Sequence, residues 1–326
     1  MPPTTQKLAP PTPGAPAPLP TARRGRSKGT RDLPAWGFLA PAIVLFVVFM
    51  ALPIGYAAYL SLRTVKVSGL GLGSGARTES WAGLSNYSRA LSDPEFLASV
   101  GRVGLYGLLL VPTMIVLALL FALLLDSRGA RAKGFSRISI FLPYAVPAVI
   151  SSLLWGFLYL PAVSPFYYVF EKLGWDAPSL LSSNLVLFAI ANIALWGGVG
   201  FNMIVIYTSL KAIPTDIYEA ARIDGANERT IAMRIKVPIV TPSLIMTFVF
   251  SMIATLQVFA EPTTLRPLTN TISTTWSPLM KVYRDAFTRD DLYSAAATSI
   301  IIAAATFILS FGFLRLVQSR AFSQEK

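Results

Sequence analysis

The amino-acid sequence predicts an all-α, polytopic membrane protein with six transmembrane helices. Hydrophobic residues make up 54% of its 326 residues and charged residues only 13%, about half the charged fraction of a soluble domain. The apolar residues also fall in charge-free blocks, each long enough to cross a bilayer, which takes about 20 residues. These blocks are residues 36–62, 103–125, 138–160, 185–210, 237–260 and 292–314.

The segment before the first block predicts a disordered, basic tail over residues 1–35. Eight prolines fall within residues 1–20, a composition that cannot bury enough apolar surface to fold. Five basic residues follow, and we expect them to set topology and contact anionic lipid. Nucleic acid is a poorer partner, since no interleaved aromatic residues or folded module accompany them. The first block is too long for a signal peptide, so we expect a retained span.

The distribution of Lys and Arg predicts that both termini lie in the cytoplasm. With the N-terminus inside, 18 of these residues fall on inner segments and 10 on outer ones, as the positive-inside rule requires. The domain prediction is therefore one membrane domain over residues 36–320, preceded by the tail and followed by a short cytoplasmic tail, residues 321–326.

The chain contains no Cys and no His. Disulfides and catalytic triads built on these residues are excluded, and zinc or copper sites lack their preferred ligands. We expect no metal site and no catalytic residue in this chain. A metal site of oxygen ligands and chemistry by Ser or Lys stay open on composition alone.

The loop over residues 211–238 carries the strongest pattern. Asp216 can cap a short helix, with an acidic residue three positions later as in a capping box, and Gly225 suits the left-handed turn that ends such a helix. Asn227 can cap a second short helix, which Pro238 limits. The sequence thus predicts two helices joined by a turn. A charged loop lying passively on the lipid surface is the alternative.

A motif in this loop resembles the EAA loop of ABC importer permeases. It reads Glu219-Ala-Ala-x-x-Asp224-Gly-Ala and continues, eight residues later, with Ile235-x-Val-Pro238. The resemblance implies the transmembrane domain of a type I (MetI-like) importer, in which this loop is a coupling helix docked on a separate ATPase. The residues it assigns to ATPase coupling are Glu219, Ala220, Ala221, Asp224, Gly225 and Pro238.

The resemblance also implies a role for each of these residues. Glu219 would be a polar anchor to the ATPase, the two alanines after it would allow close packing, and Gly225 would supply the turn. Asp224 is expected to hold that turn through hydrogen bonds to the backbone.

The partners follow from the same resemblance. The chain contains no Gly-x-x-x-x-Gly-Lys-Ser/Thr phosphate loop, so ATP and Mg²⁺ are expected on two copies of an ATP-binding subunit. A second, related permease would complete the path, and an extracytoplasmic solute-binding protein would deliver the solute.

Further segments narrow the resemblance to carbohydrate-uptake permeases of the maltose-importer type. They are Trp81-Ala-Gly-Leu-Ser-Asn-Tyr87, Asp93-Pro-Glu-Phe96, Leu142-Pro-Tyr-Ala-Val-Pro147 and residues 207–214. Two segments depart from the family pattern: Gly101-Arg102 replaces Asn-Thr, and Glu261-Pro-Thr-Thr-Leu-Arg-Pro267 replaces a Gly-Gly-Pro turn. Both departures bear on the solute rather than on coupling.

Six polar or aromatic residues within the blocks are candidates for the substrate pathway. Uncharged polar groups in a membrane interior need partners or a wet cavity. Asn192 and Gln257 can equally serve as hydrogen-bonding links between helices, and Trp155 and Tyr159 as packing or interfacial residues. The candidates are Ser152, Trp155, Tyr159, Asn192, Trp196 and Gln257.

The sequence therefore predicts the permease subunit of an ATP-driven importer for a sugar, oligosaccharide or polyol. A permease of the same class for a glycerol phosphate ester is the alternative. An ion-coupled secondary transporter would carry ionisable groups inside its spans, and the six blocks contain none. An intramembrane enzyme would need Ser, Asp or Lys chemistry, and the blocks lack Asp and Lys.

Overall fold

The computed structural model describes residues 32–67 and 77–321 of the chain. The predicted tails lie outside these residues, apart from two short stretches. Residues 32–35 are helical rather than part of a disordered tail, because Pro34 lies in the first turn, where its missing N–H costs nothing. Residue 321 is the last of the final helix.

The described residues form fourteen α-helices and one antiparallel hairpin, in which Arg63 pairs with Trp81. Short π-helical turns at Val47–Ala51 and Ala232–Lys236 and 3-10 turns at Leu142–Ala145 and Arg266–Leu268 connect some of the helices. In chain order the elements are α1 (Asp32–Phe46), α2 (Leu52–Ser61), β1 (Arg63–Val67), β2 (Arg77–Trp81), α3 (Ser85–Ser92), α4 (Pro94–Asp126), α5 (Lys133–Phe141), α6 (Ala148–Tyr159), α7 (Pro165–Lys172), α8 (Val186–Lys211), α9 (Thr215–Ile223), α10 (Glu228–Ile231), α11 (Val237–Leu256), α12 (Ala260–Leu265), α13 (Pro278–Phe287) and α14 (Leu292–Ala321).

The chain divides into two compact units, residues 1–53 and 54–326. The described part of the first unit is helical and apolar, and every side chain described in it, from residue 36 to 53, is exposed. A charge-free helical surface of this kind suits hydrocarbon or another membrane chain rather than water.

Five helical segments of the described chain are long and apolar enough to cross a membrane, and a bent pair makes a sixth. The five match predicted blocks one, two, four, five and six. The third block differs from a straight span, because α5 with its 3-10 turn meets α6 at 98°. Val146 is extended here and Pro147 caps α6. Proline removes a backbone donor and forces the preceding residue out of helical conformation, so this span is broken.

The core of the second unit lies where α4 packs along α8, with α11 against both. One buried apolar cluster contains Tyr106, Ile190 and Trp276, and another contains Met203 and Ile206. These side chains interdigitate along the length of the three helices, so α4, α8 and α11 form the scaffold on which the shorter helices are placed.

The broken third span approaches α8 closely at one glycine. A Cβ atom on Gly200 would lie 2.2 Å from the carbonyl oxygen of Ile140 and 2.7 Å from the Cα of Phe141. Real side chains do not tolerate such distances to backbone atoms, so only glycine lets α5 lie against α8 here.

An ionic cluster fixes α13 against the beginning of α4. Lys281 Nζ lies 2.9 Å from Asp93 Oδ2 and also pairs with Asp285. Arg284 bonds to Glu95 and Asp285 at 2.8 Å each. Burial raises the pKa of Asp93, but hydrogen bonds from Lys281 and from the Glu95 N–H outweigh it and hold the pKa below the ordinary value of an aspartate. The stabilisation from Asp93 is therefore present above that ordinary value and is lost as the pH falls through the lowered pKa.

Replacing Lys281 with Met should destabilise the protein. The lysine side chain is 3% exposed and that of Asp285 4%, so the substitution removes a buried cation, while Asp285 keeps Arg284 as a partner. The cost is about 1–3 kcal/mol, which a lower melting temperature of the purified transporter would report. Lys66→Met, on an exposed lysine of β1, is the control and should melt like the wild type. Equal melting of both variants would contradict a stabilising role for the cluster.

Candidate functional site

The loop between α8 and α11 contains the two predicted helices, but the first begins differently from the prediction. Pro214 is the N-cap of α9 and makes no side-chain capping bond. Asp216 is therefore the second residue of the helix rather than its cap, and Glu219 does not complete a capping box. The extended backbone of Pro214 starts the helix two residues earlier than predicted, and Asp216 instead lies in the first turn, where the helix dipole favours an acid.

The turn after α9 is confirmed in detail. Gly225 has a φ of +82°, its N–H donates to the carbonyl of Arg222, and the N–H of Ala226 donates to Ala221. These two bonds define a Schellman motif, which requires the left-handed conformation that glycine adopts most readily. Asp224 is the C-cap and donates its backbone N–H to Ala220. The expected side-chain bonds from Asp224 to the turn are not among those formed in the described residues.

The sequence predicted that the second short helix ends at Pro238, but in the structure it continues past this residue. Asn227 caps α10 by accepting a hydrogen bond from the Thr230 N–H at 2.8 Å, as predicted. A π-helical turn then joins α10 to α11 without a break, and Pro238 occupies the second position of α11. The wider π-helical turn leaves room for the proline ring and tolerates the loss of the hydrogen bond that its backbone nitrogen cannot donate. The loop therefore continues directly into the fifth span as one rod.

The residues predicted to contact an ATPase form an accessible surface. Glu219, Ala220, Asp224, Gly225 and Pro238 are exposed, and Ala221 is half-buried. Beside them, the side chain of Ile223 is 87% exposed. Its apolar side chain is therefore free for contact beside the charged residues of the loop.

Both ends of the loop are held by one carboxylate at the end of α4. Asp126 Oδ1 lies 2.9 Å from Lys211 Nζ, and Asp126 Oδ2 lies 2.6 Å from Lys236 Nζ. The side chains of Asp126 and Lys236 are 6% and 7% exposed. The Lys236 ammonium also lies 5.0 Å from the ring centre of Tyr218 in α9. The last residue of α8, the loop and the start of the fifth span are thereby joined to the second span.

A cavity of about 770 Å³ lies between α4, α8, α11 and the broken third span. Its wall is largely apolar, with single polar groups at intervals, which is the usual composition of a small-molecule site. Its polar lining side chains are Tyr106, Tyr144, Ser151, Asn202, Ser251, Thr255, Gln257 and Glu261. Within residues 32–67 and 77–321, no Lys or Arg lines it.

Of the six predicted pathway residues, only Gln257 lines this cavity. Ser152 is fully buried and donates to the Ala148 carbonyl within its own helix. Its neighbour Ser151 lines the cavity instead. Trp196 does not line this cavity and packs edge-on against Trp155, with ring centres 6.0 Å apart.

A second cavity of about 260 Å³ contains the remaining three candidates, Trp155, Tyr159 and Asn192. Asn192 donates to the Tyr159 hydroxyl at 2.9 Å, and that hydroxyl donates to the Ala189 carbonyl at 3.1 Å. These bonds join α6 to α8, so the alternative of a hydrogen-bonding link between helices describes Asn192 better than a pathway role.

The two departures from the family pattern have different structural outcomes. Arg102 donates to the carbonyls of Thr275 and Trp276 and so ties α4 to the segment before α13. Glu261 lines the larger cavity. Sequence reasoning did not select Glu261, although a lone acid directly after an apolar block was the available signal.

Comparison with known proteins places these features in a family. Residues 109–323 match the family model described as binding-protein-dependent transport system inner membrane component. The chain is 31% identical over 288 residues to the sn-glycerol-3-phosphate transport system permease protein UgpA of Agrobacterium fabrum, covering 86% of this chain and 94% of that protein. Identity to the corresponding protein of Escherichia coli is 26% over 288 residues, covering 86% and 93%.

Solved structures share the fold. A bacterial alginate ABC transporter, solved in complex with an alginate pentasaccharide-bound periplasmic protein, contains a chain that superposes with a TM-score of 0.74. The two chains are 20% identical, with 90% of this chain and 96% of the other covered. A second structure of an alginate importer gives a TM-score of 0.75 at 19% identity. The chain therefore belongs to the inner-membrane permease components of binding-protein-dependent ABC importers, which transport solute while a separate subunit hydrolyses ATP.

Proposed function

We propose that the chain forms half of the translocation path of an importer for a carbohydrate, meaning a sugar, an oligosaccharide or a related polyol. The observation that carries this proposal is the larger cavity, whose amide, hydroxyl and phenol groups are spaced along an apolar wall. Such groups hydrogen-bond to sugar hydroxyls, and the aromatic rings offer faces for the C–H surface of a sugar. A second, related permease would supply the opposite wall.

We propose further that the loop between α8 and α11 docks on one of two copies of an ATP-binding subunit, where ATP and Mg²⁺ bind. Support comes from the exposed Ile223 and the accessible motif around Glu219. Movement of the docked loop would pass directly into the fifth span, since α10, the π-helical turn and α11 are continuous. The ion pairs of Asp126 with Lys211 and Lys236 would transmit this movement to the second and fourth spans.

The docking surface lies in the cytoplasm in this proposal, and both termini lie on the same side. The excess of Lys and Arg on that side supports the orientation. The opposite end, with the cluster around Lys281, would then face the solute-binding protein. Solute would reach the cavity from that side and leave toward the ATPases. The cavity would open to only one face of the membrane at a time.

Uptake measurements test the substrate class. Cells lacking this chain, and the same cells complemented with it, should be compared with radiolabelled monosaccharides, disaccharides, polyols and glycerol 3-phosphate. We expect complementation to restore uptake of at least one saccharide or polyol. Restoration of glycerol 3-phosphate uptake alone would overturn the carbohydrate assignment in favour of the glycerol phosphate alternative.

Gly225→Pro should uncouple the transporter. Proline cannot adopt a φ of +82°, so the Schellman turn and the orientation of α9 are lost, at a strain cost of about 1–3 kcal/mol. We expect normal membrane insertion but at least a tenfold loss of solute-stimulated ATP hydrolysis in the reconstituted transporter, since each tenfold step needs only about 1.4 kcal/mol.

Gly174→Pro is the matched control for this substitution. Gly174 has a φ of +68° and ends α7 with the same pair of hydrogen bonds, from Gly174 to Glu171 and from Trp175 to Phe170. This variant carries equal local strain away from the loop and should retain coupling. Normal stimulation in Gly225→Pro, or equal losses in both variants, would count against the coupling role of the loop.

Asp126→Ala should lower both stability and coupling. Lys236 would remain buried without a counter-charge, a loss of about 3–5 kcal/mol. We expect a lower melting temperature and fewer solute molecules imported per ATP hydrolysed, with partial recovery in Asp126→Glu. Asp176→Ala, on an exposed aspartate, serves as the control. A lower melting temperature with an unchanged import ratio would limit Asp126 to a structural role.

A further inference from the structure

One charged side chain faces the proposed path. Glu261, in α12, is the only charged residue among those that line the larger cavity. The α12 helix packs against both α6 and α8, so its position is set by the broken third span and by the central scaffold. The carboxylate is therefore held at the wall by fixed elements and not by a free loop.

This carboxylate forms no ion pair within the described residues. None of the ion pairs found among residues 32–67 and 77–321 includes Glu261. Arg102 donates to backbone carbonyls, and Arg284 is bound to two carboxylates. The other polar groups of the wall, such as Gln257 and Ser251, are neutral.

An unpaired carboxylate in such a wall acts on a solute in two ways. It accepts strong, charge-assisted hydrogen bonds from hydroxyl groups. It also repels anions, and the repulsion is larger than in bulk water because the surrounding wall is apolar. Side-chain charge at a constriction is a general basis of selectivity in membrane pathways.

We propose that Glu261 makes this cavity selective for uncharged, hydroxyl-rich solutes and against anionic ones such as phosphate esters and uronates. The proposal rests on the proposed function and specifies its substrate class. It separates this chain from relatives described as transporting sn-glycerol 3-phosphate and from the structural neighbour that imports the acidic polysaccharide alginate. Glu261 would bind neutral solute through its carboxylate, with Gln257 and Ser251 offering both donors and acceptors beside it.

The cavity potential can be measured directly, because the chain has no cysteine. Ala254 lines the cavity and is exposed, so Ala254→Cys gives this chain a single thiol there, in a transporter assembled with cysteine-free partner subunits. Its reaction rates with a cationic methanethiosulfonate (ethyltrimethylammonium) and an anionic one (ethylsulfonate) give a ratio that reports local charge. Ser88→Cys, an exposed site outside the cavity, supplies the reference ratio.

We expect the cationic reagent to be favoured at Ala254→Cys relative to the reference, and Glu261→Gln to reduce that preference about tenfold. Glu171→Gln, on an exposed glutamate outside the cavity, is the matched control and should leave the ratio unchanged. An unaltered ratio in Glu261→Gln would overturn the proposal, and this includes the case of a protonated, neutral glutamic acid.

Transport supplies the second arm. The solute that the complemented cells import should carry no negative charge, and Glu261→Gln should lower its uptake about tenfold while Glu171→Gln leaves it unchanged. Import of an anionic solute by the wild type would overturn the charge selection even if the labelling ratio were as expected. If no solute is imported, the proposed function fails, while the labelling ratio still decides the charge of the cavity.

Discussion

The buried carboxylate of Asp126 is the constraint on which the organisation of this permease depends. It binds Lys211 and Lys236, which mark the beginning of the loop and the start of the fifth span. Burying Asp126 and Lys236 is costly unless each charge is paired. Here the acid also binds the half-exposed Lys211, and the rings of Tyr207 and Tyr218 lie beside the two cations. This geometry joins the second, fourth and fifth spans at the point where the proposed ATPase contact meets the membrane domain.

Two irregularities of the helices shape the loop and the larger cavity. The π-helical turn at Ala232–Lys236 carries the loop into the fifth span without interruption. The break at Pro147 turns the third span aside by 98° and opens the wall that faces α8. Gly200 lets the displaced segment lie directly on α8.

The position of Glu261 links the permease family to a question of specificity. The coupling motif is shared with the family, whereas the segment after the fifth span departs from the family pattern, and this segment brings the acid to the cavity wall. The other departure, Arg102, serves packing through carbonyl hydrogen bonds. In the proposed mechanism, energy coupling and solute selection would therefore be carried by different parts of one chain.

The sequence alone determined the membrane class, the apolar blocks and the two-helix loop with its glycine turn, because these depend on local composition and backbone chemistry. It did not determine which side chains share a cavity. Four predicted pathway residues pack or bond between helices, and Ser152 is buried and bonds within its own helix. The angle of the break before α6, which no local rule sets, is one reason. The pairing of Asp126 with two distant lysines and the placement of Glu261 likewise join residues far apart in the chain, so only tertiary packing decided them.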